Sequence, residues 1–173
     1  MYEEWARRLE SLQLITQFCN GCKQVDADLV KRMEAARMIG AGLRYTDQHL
    51  YADYDITLYG ETPVDPLKTW ERMEGETVLG HTPGTQSPSS FEHIIRGYAA
   101  GYYGYMWSEV LALDMLSPYG KNIMNPKAGR RFRDIVLAHG GERTAASMVE
   151  QFLGRTPSNA AFIAEITGKR STQ

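Results

Sequence analysis

No run of about 18 consecutive apolar residues occurs in the chain, so no segment reads as a membrane-spanning helix. Nor does a basic segment followed by an apolar one open it, as a secretory signal would. Net charge is equally scarce. Nineteen Lys and Arg stand against 21 Asp and Glu, which leaves −2 near neutral pH and no general attraction to nucleic acid or to an anionic membrane. The local cluster Arg130, Arg131 and Arg133 reads as a solvated helix face rather than a phosphate site. Only two cysteines are present, in the run Cys19-Asn20-Gly21-Cys22. A metal site there would need a second such pair or paired histidines, and the four histidines (His49, His81, His93, His139) are scattered. A redox pair would call for a βαβ setting, which helical flanks do not offer. The run is expected to be a turn with two reduced thiols, in keeping with a reducing compartment. Convincing strand patterns and internal repeats are missing too.

What is there is helical period. The chain has 173 residues, 43% of them hydrophobic, enough for a core, and its apolar residues recur at 3–4-residue spacing almost throughout. Trp5, Leu9, Leu12 and Ile15 to Phe18 lie on one broad face of a first helix that begins without a capping residue, as if sequence had preceded it. Asp26 or Asp28 opens a second helix along Leu29, Met33, Ala36, Gly40 and Leu43, with Gly40 and Gly42 as possible breaks before Leu50, Tyr54 and Leu58. Asp65-Pro66 pairs an N-cap with proline at the first helical position, leading into Leu67, Trp70, Met73 and Val78 as far as Gly80. A long loop, His81 to Ser90, follows. Helices are then expected through Leu116, from Asn125-Pro126 to Gly140-Gly141, and over Thr144 to Phe152 and Ser158 to Ile166. The fold class is all-α.

The densest information lies in Phe91 to Glu109, FEHIIRGYAAGYYGYMWSE. Tyr98, Tyr102 and Tyr105 stand at i, i+4 and i+7, one stripe if the segment is helical. Gly97, Gly101 and Gly104 repeat that spacing one residue earlier. Three glycines inside a helix would cost about 3 kcal/mol relative to alanine, which close backbone packing or local mobility would have to justify. One reading is a tightly packed core helix. The other is half of a hydrolase site: a phenol is a neutral donor near pH 7, two on one face could donate to the oxyanion of a tetrahedral intermediate, and His93 lies just upstream. A nucleophile is missing from that half. Trp107 and Glu109 are expected in the core.

The run Gly84-Thr85, Pro88, Phe91, His93, Gly97-Tyr98, Ala100, Tyr102-Tyr103, Tyr105, Trp107 and Glu109 resembles the glycine-tyrosine segment of the thimet oligopeptidase family. Those zinc peptidases include neurolysin, oligopeptidase A, peptidyl-dipeptidase and mitochondrial intermediate peptidase. The resemblance continues through Gly129, Phe132-Arg133, Ile135, Leu137 and Gly140-Gly141, then through Phe152 to Arg155 (FLGR), Pro157 and Ala161-Phe162. It is close from Gly84 to Phe162, looser over the first eighty residues, and confined to the family's C-terminal part.

The resemblance implies the helical C-terminal part of a zincin-type oligopeptidase catalytic domain, one segment over residues 1–173 with a mobile loop region at about 81–105. It implies that Tyr102 and Tyr105 stabilise the oxyanion, that His93 contacts substrate, that Tyr98 lines the channel, and that Gly97 and Gly101 let the segment adapt to different peptides. Glu92, where several members carry a small residue, departs from the pattern. The family's zinc ligands, an H-E-x-x-H pair and a further carboxylate, have no counterpart in the sequence. The metal is therefore expected in a parent enzyme, with no ligand in this chain. The expected partners are short peptides, the missing N-terminal part and a second copy of the chain, in the cytoplasm or a mitochondrion. A non-catalytic helical module that binds a peptide or protein through the aromatic stripe is the alternative.

Overall fold

The computed structural model describes residues 2–169. All regular elements among the described residues are helical, and the all-α expectation holds. Contacts gather the chain into two compact units, one from Met1–Ile39 with Glu109–Gln173 and the other from Gly40–Ser108.

In the first unit the opening helix is broken. Helix α1 spans Tyr2–Trp5 and α2 spans Leu9–Gln17, with Arg8 extended between them at ψ 144°. In an unbroken helix Trp5 and Ser11 would face different directions, since six residues turn the chain through about 600°. The break lets both reach one sulfur, with Trp5 Nε1 2.9 Å and Ser11 Oγ 3.9 Å from Met124 Sδ. Cys19 and Cys22, expected as free thiols, are joined by a disulfide. The turn after α2, with Gly21 at φ +82°, brings their Cα atoms to 5.4 Å, a spacing a disulfide accommodates. Helix α3, Ala27–Arg37, starts where expected, with the Asp26 carboxylate accepting the Leu29 N–H at 2.7 Å.

The rest of this unit is closed by the FLGR run. Helix α10, Ala145–Leu153, is capped by Thr144 and ended by Gly154 at φ +73°, and Phe152 is wholly buried against Met115, Tyr119, Ala128 and Val149. Arg155 then turns back to the buried Asp114, which also accepts the Ser158 N–H at 2.8 Å, before α11, Ala160–Ile166. Helix α9, Pro126–Phe132, capped by Asn125, passes directly into a π-helical turn over Arg133–Leu137.

The second unit begins with α4, Ala41–Leu58, after Gly40 in the left-handed region (φ +70°), so the interruption anticipated at Gly40 is real. Asp65 caps α5, Pro66–Gly75, by accepting the Lys68 N–H at 3.1 Å. This helix ends five residues before Gly80. The Thr77 hydroxyl donates to the Glu74 carbonyl at 2.7 Å, and Val78 and Leu79 stand exposed. Two short turns, α6 (Ser87–Ser90) and α7 (Glu92–Ile95), interrupt the loop that follows. Its core comprises Leu50, Tyr54, Trp70, Met73, Ile94 and Tyr102, with Tyr51 and Phe91 packed against them. Helix α8, Gly104–Asp114, continues the chain into the first unit.

Candidate functional site

The glycine-tyrosine stretch is not one helix. Turns cover residues 96–97 and 99–103, with Tyr98 between them in no regular structure, and regular helix resumes only at Gly104. The cost of glycines inside a helix therefore does not arise for Gly97 and Gly101. Gly97 adopts φ +93°, where a side chain would be strained. At Gly101 a Cβ would come within 3.3 Å of the Tyr98 carbonyl oxygen. Ala100 also holds a positive φ, +53°, at a cost of about 1 kcal/mol for a residue with a side chain.

A loop brings the expected side chains together where a helical stripe was expected to do so. His93, on α7, stacks on Tyr98 with ring centroids 4.3 Å apart and planes 20° from parallel. Its Nε2 lies 2.7 Å from the Tyr105 hydroxyl. Tyr98 and Tyr105 are themselves nearly parallel at 6.0 Å, and Tyr102 lies 5.1 Å from Tyr105. His93, Tyr98, Tyr102 and Tyr105 thus form one cluster. Its members differ in access. Tyr98 and Tyr105 are 49% and 46% exposed, while Tyr102 at 9% belongs to the core, where its hydroxyl makes a long 3.4 Å contact with Gln48 Oε1. Lost hydration first, and the adjoining Tyr98 phenol second, push the Tyr105 pKa up, so its proton stays in place at neutral pH. Trp107, expected in the core, is 64% exposed.

The floor of the cluster is aromatic. Tyr51 on α4 lies edge-on to Phe91 at 5.0 Å and to Tyr102 at 5.6 Å, and stacks on Trp70 at 5.9 Å. Burial, then Asp47, raises the Tyr51 pKa. The Tyr59 hydroxyl donates to the carbonyl of the buried Ile94 at 2.8 Å and so pins the turn carrying His93.

One residue of this site went unassigned in the sequence. Asp55 on α4 is wholly buried, and its oxygens accept the N–H groups of Ala100 at 3.0 Å and Tyr102 at 2.9 Å. The available signal was its place with Tyr51 and Leu58 at i, i+4 and i+7, a carboxylate on an otherwise apolar stripe. Among the described residues no group of three or more His, Cys, Asp and Glu is placed to hold a metal ion, so they do not fit a zinc centre.

The sequence model of Peptidase family M3 matches residues 1–168. The chain is similar to the thimet-like oligopeptidase of Dictyostelium discoideum, 31% identical over 173 residues, covering 96% of this chain and 26% of that protein. Saccharolysin of Saccharomyces cerevisiae is 32% identical over 174 residues, covering 96% and 24%. Oligopeptidase A of Escherichia coli is 30% identical over 168 residues, covering 93% and 25%. The chain spans about a quarter of the length of these relatives. With a match that runs over nearly all of its residues, the chain belongs to peptidase family M3.

Proposed function

We propose that this chain supplies the transition-state side of a peptide-cleaving site in a zinc-dependent oligopeptidase. The observation that carries the proposal is the Tyr105 hydroxyl 2.7 Å from His93 Nε2 on an exposed face walled by Tyr98. Attack on a peptide carbonyl builds negative charge on its oxygen, and a donor already aimed at that oxygen is worth ~10²–10³ in rate. Tyr105 suits the task because its proton is retained at neutral pH. When His93 carries its hydrogen on Nε2, the imidazole donates to the phenol oxygen and leaves the phenolic hydrogen free for the substrate. Tyr102 is the second donor, since its 3.4 Å contact with Gln48 is long enough to be exchanged for a charged acceptor. His93 and Tyr98 bind the peptide beside the scissile bond, and the backbone freedom of Gly97 and Gly101 accommodates different side chains.

The described residues fit no metal site. We assign zinc, and with it activation of the attacking water, to the remaining three quarters of a peptidase of the relatives' length, which would be this chain's partner. Alone, the chain is inactive. Short peptides are the substrates, and the setting is the cytoplasm or a mitochondrion.

The test is a chimera in which this chain replaces the matching segment of oligopeptidase A, assayed on short quenched-fluorescent peptides. Tyr105→Phe is expected to lower kcat by about 10²-fold and leave KM nearly unchanged, because the bond forms mainly in the transition state. The isolated chain, with or without added zinc, should show no turnover. A Tyr105→Phe loss confined to KM, or zinc-dependent turnover by the chain alone, refutes the assignment.

A further inference from the structure

Asp55 is the wholly buried carboxylate of the second unit. Among the described residues it enters no ion pair, and its hydrogen bonds come from the backbone N–H groups of Ala100 and Tyr102, 45 and 47 residues further along. A carboxylate withdrawn from water without a cation is costly, and both of its bonds go to one loop. Between the two donors lies Gly101, and the first donor, Ala100, holds a left-handed φ of +53° that alanine does not favour. Otherwise the loop is held by turn bonds such as Gly101 N–H to Tyr98 O and Gly104 N–H to Gly101 O, each 3.0 Å. Tyr98 precedes the clamped pair and Tyr105 follows it. Where the two amides are fixed therefore decides where both phenols point.

We infer that Asp55 is a positioning residue for the His93–Tyr98–Tyr105 face, its buried carboxylate clamping the Ala100 and Tyr102 amides and so holding the loop in the strained register that presents Tyr98 and Tyr105 to a peptide. The consequence for peptide binding rests on the function proposed above. The clamp itself does not.

The first measurement is amide hydrogen exchange on the intact chain. Ala99 and Tyr103 have no amide partner among the described residues, and Ala100 is exposed. The Ala100 and Tyr102 amides should nevertheless exchange about 10- to 100-fold more slowly than those two neighbours, the protection expected of bonds to a carboxylate. Equal exchange across the four residues overturns the proposal without any variant.

The second measurement asks whether the clamp acts through the loop's conformation. Asp55→Asn, which keeps one acceptor oxygen and turns an NH2 group toward the other amide, should lose protection at Ala100 or Tyr102, change the His93 Nε2 nitrogen-15 signal, and weaken binding of a blocked (Gly-Phe)₃ hexapeptide about 10-fold. Adding Ala100→Gly, which adopts the left-handed conformation without strain, should return the His93 signal and the affinity toward wild type. A carboxylate that served only core packing would lower the melting temperature and gain nothing from glycine at position 100. Failure of that rescue in a folded double variant refutes the positioning role, and if Asp55→Asn does not fold, the wild-type exchange pattern decides. If the wild-type chain binds no peptide while the amides are protected and the His93 signal is rescued, the clamp stands and the peptide-site reading falls. If Asp55→Asn binds peptide as tightly as wild type, the peptide-site reading stands and the positioning role of Asp55 falls.

Discussion

Replacing Arg155 by methionine isolates the ion pair that closes the first unit. The Asp114 side chain is 4% exposed and accepts both terminal nitrogens of Arg155, at 2.8 and 2.5 Å, and the Ser158 N–H at 2.8 Å. Without the guanidinium, a buried carboxylate would keep only the amide. Removing one partner of a buried pair costs about 3–5 kcal/mol, and Arg155, 44% exposed, lets in enough water to place this case near 3. For a chain of this size that is a fall in Tm of about 6–12 °C. The pH dependence follows from the direction of the Asp114 shift. Hydrogen bonds from Arg155 hold its pKa below the usual carboxylate value against the opposing effect of burial, and the Ser158 N–H adds to the lowering. A depressed carboxylate stabilises the fold fully above its unfolded value of about 3.9, and that contribution is lost as pH falls through the lower native value. Wild type and Arg155→Met should therefore differ fully at pH 5–7 and converge below about pH 3.9. The double variant Asp114→Asn/Arg155→Met should recover part of the loss, because no buried charge is then left unpaired. Urea unfolding followed by circular dichroism from pH 7 to pH 3 measures all three proteins. A loss under about 1 kcal/mol at pH 7, the range of surface pairs, or one that persists unchanged to pH 3, would refute the reasoning.

Two further outcomes concern other regions. Burial first, and the Asp65 carboxylate second, push the Tyr54 pKa up to about 12. The fold favours the neutral phenol, so this stabilisation is complete below about pH 10 and disappears as pH rises toward about 12, and Tyr54→Phe should flatten an alkaline unfolding scan over that window. The exposed apolar side chains of Phe18, Ile39, Val78, Leu79 and Trp107 are expected to drive self-association, with a homodimer the simplest form. Light scattering across a concentration series tests this, and a monodisperse species of 19.5 kDa at high concentration counts against it.

Local chemistry was the readable part of the sequence. Asp65, Asn125 and Thr144 stood at the expected starts of their helices, and Asp26 was one of two candidates with Asp28, because a cap acts within three residues of itself. Gly40 announced a break for the same reason. The tyrosine cluster was legible by spacing, yet its geometry was not: a helical period predicted a stripe, and turns anchored from outside the segment produced the convergence instead. That anchor, Asp55, lies 45 residues from its first donor, and nothing local to Ala100 foretells a left-handed alanine. The break at Arg8 is equally illegible in the sequence, since Met124, which Trp5 reaches across it, is more than a hundred residues distant. Trp107 read as core because aromatic residues usually are, and only the fold shows which face of α8 it occupies.

The three tryptophans sit in three different surroundings. Trp70 is buried between the rings of Tyr51 and Tyr54, and its indole N–H has no partner among the described residues. Trp107 stands in water two residues beyond Tyr105, and Trp5 points its N–H at the sulfur of Met124. Indole emission shifts to the blue in apolar surroundings and is dimmed by a nearby polarisable sulfur. The native chain therefore carries a blue reporter on the core of one unit, a quenched one on the other, and a red one beside the tyrosine face. Loss of packing in one unit then shows as a red shift, in the other as a gain of intensity, and occupancy of the tyrosine face as a blue shift, with no label attached.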